Sequence, residues 1–290
     1  MSQLYESLRR AEMEQRSPGE PRLESARPTD LPKGLIAEPA ESEGAGSAAI
    51  DVPSASRLVA QVDPKCLAAE KFRALATRLE NLRNERDLKS LQVTSSVIGE
   101  GKTFVTGNLA LTLAKHSGVK VLVVEGDLHR PGLASLLGLT GLRGLSHWWS
   151  GREENLGRYI YKLNGLALWF LSAGEASEQP SQVLQSPRFA KAFARLGGSF
   201  DWILVDSTPV LPTADVNLWG RLVDGMLLVV RAGVAPVEAL KKGLASVDNP
   251  KLVGIVLNEA SDSRQNKYVN QQYSAPKDAR NGFNDKNKKK

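Results

Sequence analysis

Between Pro64 and Asn258 the apolar residues of this chain follow two alternating rhythms, and outside those bounds they follow neither. Short, near-continuous runs of valine, isoleucine and leucine stand at 91–93, 119–124, 166–171, 202–205, 226–230 and 252–257. Segments with apolar residues every three or four positions separate most of them, at 103–115, 187–196, 213–222 and 236–246. Continuous runs belong to strands buried on both faces. Their alternation with helices predicts a doubly wound, mostly parallel α/β sheet. Ahead of the first run, "DPKCLAAEKFRALATRLENLRNERD" places apolar residues at 68, 72, 75, 79 and 82, the stripe of a long amphipathic helix. No solenoid-type repeat is present.

The flanks read differently. Leu4, Leu8 and Ala11 fall at helical spacing among charges, so residues 1–16 are expected to form a short amphipathic helix, either solvent-facing or docked on a partner. Residues 17–57 are rich in Pro, Glu, Ser, Ala and Gly without sustained periodicity, the composition of a disordered linker. The folded domain is expected over 58–261, and 262–290 as a flexible basic tail carrying Tyr268 and Tyr273.

Composition narrows the class. An apolar content of 41% suffices for a core, and one cysteine, Cys66, excludes an intrachain disulfide and fits a reducing cytoplasm. No apolar run approaches the ~18 residues of a membrane span. The start, "MSQLYESLRRAEMEQR", lacks the apolar centre of a secretion signal. The formal charge of +6 is mostly local: eight Lys or Arg against three Asp from Asp262 onward give +5 in the tail. A folded face that bound nucleic acid would carry that excess itself, so no specific nucleic-acid partner is expected.

Three strand ends carry the chemistry. In "SSVIGEGKT" Gly99 and Gly101 permit positive φ, which lets successive backbone N–H groups converge on an anion at a helix N-terminus. Lys102 is then placed for the β- and γ-phosphates and the Thr103 hydroxyl for Mg²⁺. Ser96 stands where the general G-x-x-x-x-G-K-[ST] pattern has its first glycine. The second strand ends in Glu125-Gly126-Asp127, and carboxylates beyond the carboxyl end of such a strand call for a compensating cation. The third, "WILVD", ends in Asp206, the arrangement in which a carboxylate holds Mg²⁺.

With "AAEKFRALATRLENL", "SSVIGEGKT", "VLVVEGDLHRP", "SAGEASEQPSQVL", "FDWILVDSTPVLPTAD" and "LVDGMLLVVRAGVAP" in this order, the chain resembles the bacterial tyrosine kinases (BY-kinases) of exopolysaccharide and capsule synthesis. The likeness is to their soluble form, within the P-loop MinD/ParA-like superfamily. It implies ATP lying on Gly99, Glu100, Gly101, Lys102, Thr103 and Phe104, with Asn258 at the adenine. It implies Mg²⁺ held by Thr103, Asp127 and Asp206, catalysis by Lys102, Glu125, Asp127 and Asp206, and autophosphorylation in trans on Tyr268 or Tyr273 within a homo-oligomer. It also implies a membrane-anchored chain-length-determinant activator that recruits this cytoplasmic protein to the inner membrane face.

Departures from the family pattern are Glu125 in place of a usual Asp, His129 in place of a common Arg, and Ala76 where the oligomerisation motif of Glu70 and Arg73 expects a second Arg. As a lone histidine, His129 reads as a polar loop residue, and Arg78 is the candidate replacement for the missing Arg. Two alternatives stay open: a catalytically weakened ATP-binding adaptor or ATPase of the same machinery, and a MinD/ParA-like positioning ATPase.

Overall fold

The protein is described by a computed structural model covering residues 58–260, apart from 116–117, 140, 152–154, 177–178, 212–213 and 248. The expectations for 1–57 and for the tail, including Tyr268 and Tyr273, lie outside the described residues. In chain order the elements are α1 (Val59–Val62), α2 (Leu67–Glu85), β1 (Ser90–Ser95), α3 (Lys102–Ala114), β2 (Val121–Glu125), α4 (Leu133–Leu136) and α5 (Leu145–Ser150). They continue with β3 (Ile160–Leu163), β4 (Leu168–Leu171), α6 (Pro180–Gln185), α7 (Pro187–Leu196) and β5 (Trp202–Asp206). The last are α8 (Asp215–Leu222), β6 (Gly225–Arg231), α9 (Val237–Ser246) and β7 (Leu252–Asn258).

The strands form one seven-stranded sheet in the order β3-β4-β2-β5-β1-β6-β7. All pairings are parallel except β3 with β4. Each apolar run read from the sequence is a strand. β3 was not anticipated, because "IYKL" is too short and too mixed in polarity to stand out. It pairs antiparallel across the turn at residues 164–167, with Tyr161 opposite Phe170.

Side chains of the central strands alternate between two buried layers. Leu91, Val93, Val121, Val123, Leu204 and Val229 pack with Phe72, Ala76 and Leu79 of α2 and Leu109 and Leu113 of α3. Leu122, Val124, Ile203 and Val205 pack on the opposite face with Trp148, Phe189, Phe193 and Trp219. A smaller group, Val210, Val216, Met226, Leu228 and Val247, lies toward α9. Of the stripe predicted on α2, Phe72 and Leu79 are buried and Leu75 and Leu82 pack against the core, while Ala69 and Ala76, which the spacing did not single out, are buried beside them. The Cys66 sulfur caps the first turn of α2 by accepting from the Ala69 amide at 3.4 Å.

This topology places the chemistry. From β1 the chain crosses over β5 to reach β2, whereas from β5 it crosses over β1 to reach β6. The connections therefore diverge between β1 and β5. The carboxyl ends of those strands, with that of β2 beside them, open a crevice of the kind in which α/β sheets bind ligands.

Candidate active site

The loop between β1 and α3 is braced from within. Gly99 and Gly101 take φ of 87° and 94°, and a side chain on Gly101 would collide with the Asn258 amide. The Glu100 side chain is fully buried and turned inward. It accepts from the Val97 amide at 2.8 Å and from the Arg231 amide at 3.4 Å, and so shapes the loop. Gly101 ends the loop as the N-cap of α3, with no capping side chain. A helix start of this kind offers N–H groups and a positive dipole end to an anion.

Lys102, Asp127 and Asp206 meet. The Lys102 ammonium lies 3.1 Å from Asp127 Oδ2, 3.4 Å from Thr103 Oγ1 and 3.8 Å from Asp206 Oδ1. The second Asp127 oxygen accepts from the Arg130 amide at 2.9 Å. Asp206 is enclosed, and neither of its oxygens accepts a hydrogen bond of ordinary geometry. Burial pushes its carboxyl from 3.8 up to about 6. Lys102 pulls the other way, as does the Thr103 hydroxyl, close by but short of a proper bond, while Asp127 and Glu125 add to the rise.

An enclosed carboxylate lacking hydrogen-bond donors, beside a hydroxyl and a second acid, is a donor set that suits a hard cation with oxygen ligands. Among the described residues no group of three or more His, Cys, Asp or Glu is arranged to hold a metal on its own.

Glu125 adjoins this cluster but makes its hydrogen bonds elsewhere. Its Oε1 accepts from the Ala134 amide at 3.0 Å, and its Oε2 from the Ala173 amide at 3.1 Å and the Ser172 hydroxyl at 3.3 Å. Phe104 and Asn258 line a cavity of about 420 Å³ beside the loop, with Phe72, Leu75, Val256 and Arg231 among its other walls. Phe104 packs edge-on against Phe72 at 5.8 Å, and Asn258 donates to the Glu100 carbonyl at 3.0 Å. A largely apolar cavity with a few convergent polar groups has the character of a small-molecule pocket.

Three further contacts were not legible in advance. His129 Nε2 pairs with buried Asp215 at 2.9 Å, and the Ser181 hydroxyl donates to the other Asp215 oxygen at 2.8 Å. His129 is thus the polar loop residue its isolation suggested, with a partner supplied by α8. The Trp219 indole N–H donates to the Gly126 carbonyl at 3.0 Å, tying the Asp127 loop to the aromatic layer. On α2, Arg73 pairs with Glu70 and Arg78 is exposed, whereas Ala76 is fully buried. Position 76 therefore faces the core, and its small side chain answers to packing.

No family model matches the chain. It is 30% identical over 209 residues to the tyrosine-protein kinase CpsD of Streptococcus agalactiae, covering 70% of this chain and 88% of that protein. It is 28% identical over 214 residues to the tyrosine-protein kinase YwqD of Bacillus subtilis, covering 73% and 89%. Among solved structures, the BceF tyrosine kinase domain superposes with a TM-score of 0.63 at 30% identity, covering 70% of this chain and 84% of that one. The kinase domain of the Escherichia coli tyrosine kinase ETK gives 0.61 at 26%, covering 70% and 82%. The cell division ATPase MinD of Pyrococcus furiosus shares the fold, with a TM-score of 0.52 at 24% identity over 65% of this chain and 80% of that one.

Proposed function

Since the chain belongs to the bacterial tyrosine-protein kinases, we propose that it transfers the γ-phosphoryl group of ATP to protein tyrosine, and that this controls the polymerisation or export of an exopolysaccharide or capsular polysaccharide. The observation that carries the reading is the convergence of Lys102, Asp127 and Asp206 from three separate strand ends beside an uncapped helix start.

Backbone amides of residues 99–103 cradle the β- and γ-phosphates, and Lys102 leaves its carboxylate partners to neutralise charge on the transferring group. Thr103, Asp127 and Asp206 are the residues to hold Mg²⁺, which when bound screens the triphosphate and favours its in-line orientation. The base occupies the cavity beside Phe104 and Asn258. The acceptor is a tyrosine of a neighbouring copy's tail, Tyr268 or Tyr273. We take Asp127, whose contact with Lys102 the phosphate would displace, rather than Glu125 as the carboxylate that accepts the phenol proton.

A membrane-anchored partner completes the assembly and holds the kinase at the inner membrane face. The likeness to a polysaccharide transport protein supports this. In the succinoglycan biosynthesis transport protein ExoP of Rhizobium meliloti, the stretch 29% identical to this chain makes up only 27% of the protein.

Incubating the pure protein with Mg-ATP and an activator fragment, with and without Lys102→Met, and mapping phosphate by mass spectrometry tests the reading. Phosphate on Tyr268 or Tyr273 in the parent alone is expected. Consumption of ATP with no phosphotyrosine would contradict it.

A further inference from the structure

Glu125 ends β2 directly across from Asp206 in the sheet register, and it is 1% exposed. Its hydrogen bonds nevertheless run away from the Lys102 cluster, to two separate segments. Ala134 belongs to the first turn of α4, while Ser172 and Ala173 follow β4. The second segment is itself stitched to α5, because the Leu145 and Ser146 amides donate to the Ser172 and Ala173 carbonyls, each at 2.9 Å. The loop carrying Asp127 spans the interval between Glu125 and α4. It is held near its start by the Gly126 amide donating to the Asp206 carbonyl at 2.8 Å.

We infer that Glu125 is a positioning residue for phosphoryl transfer, fixing both ends of the Asp127 loop against the segment after β4, and does not accept the tyrosine proton. The catalytic consequence rests on the kinase reading; the clamp does not. The hydrogen bonds that Glu125 accepts come from these two segments, which engages both of its oxygens as a brace. The reach is particular to glutamate. Removing one methylene withdraws the carboxylate by about 1.5 Å, which breaks the contacts to both amides at once. The aspartate usual in the family therefore cannot make this clamp on this backbone.

The test compares Glu125→Asp and Glu125→Gln in the full chain. Aspartate keeps a carboxylate and loses both amide contacts. Glutamine loses the carboxylate but keeps a carbonyl oxygen for Ala173 and Ser172. A positioning role predicts that the Asp variant loses more kcat than the Gln variant, by up to about 10²-fold from the parent, as expected when a catalytic group shifts by an ångström. Binding of ADP without magnesium stays at the parent value in both. Amide hydrogen exchange, read at Ala134 and Ala173, quickens at both positions in the Asp variant and at Ala134 alone in the Gln variant. An Asp variant with near-parent kcat beside an inactive Gln variant would make Glu125 the proton acceptor and overturn the inference. Unchanged exchange at both amides in both variants would refute the clamp outright. If the parent makes no phosphotyrosine, the kinase reading falls, and exchange at the two amides still decides the clamp.

Discussion

The Lys102 ammonium sits 3.1 Å from Asp127 Oδ2, so a cation from the start of α3 is paired with an acid from the end of β2. The same ammonium lies 3.8 Å from Asp206 Oδ1. Phosphate and metal would take over both relationships, phosphate claiming the lysine and metal the carboxylates.

Replacing Lys102 by methionine removes a charge-assisted contact worth about 1.5–3 kcal/mol, or roughly 10- to 10²-fold in ATP affinity. Phosphotyrosine formation should fall further than ATP binding, since the same charge also serves the transition state. Calorimetry for affinity and immunoblotting for phosphotyrosine separate the two effects.

The raised carboxyl of Asp206 makes a prediction about pH. Its folded-state value of about 6 lies above the ordinary 3.8, so between these values the folded protein binds more protons than the unfolded chain. The Asp206 contribution therefore costs stability as pH rises from about 4 to about 6 and is constant above that range. Asp206→Asn, which cannot ionise, should match the parent at pH 4 and exceed it at pH 7.5 by on the order of 3 kcal/mol without nucleotide. Denaturant midpoints of both proteins across this range check the sign. The variant should gain stability while losing catalysis.

Gly101→Ala should abolish nucleotide binding with modest harm to the fold. A left-handed conformation costs a non-glycine residue about 1–2 kcal/mol, and the new methyl displaces the Asn258 amide from the loop. Fluorescent ADP titration together with a thermal melt distinguishes a broken site from a broken protein.

Trp219→Phe keeps an aromatic ring against Phe189 and Phe193 but deletes the donor to the Gly126 carbonyl. The buried carbonyl left unsatisfied should cost about 1–3 kcal/mol of stability. Because Gly126 adjoins Asp127, kcat should drop beyond what the lost stability explains. Activity measured well below the melting temperature checks this.

The strands and the glycine turn ahead of α3 were legible because both signals are local. A buried parallel strand is a run of β-branched and aliphatic residues, and a phosphate loop is a few glycines ahead of Lys-Thr. What the sequence concealed depends on residues brought together from afar. Asp215 pairs with His129, Trp219 binds Gly126, and Ala134 and Ala173 converge on Glu125. No spacing rule links such positions. The inward turn of Glu100 was hidden for the same reason, as was the buried face of Ala76, which shows that a motif position can answer to packing.

The measurement closest to the central claim is calorimetric titration of ATP into the parent and Asp206→Asn, each with and without magnesium. Convergence of the three strand ends on one metal–nucleotide complex predicts that magnesium strengthens binding to the parent and gives little or no gain in the variant. An equal magnesium effect in both proteins, or no ATP binding by the folded parent, would contradict it.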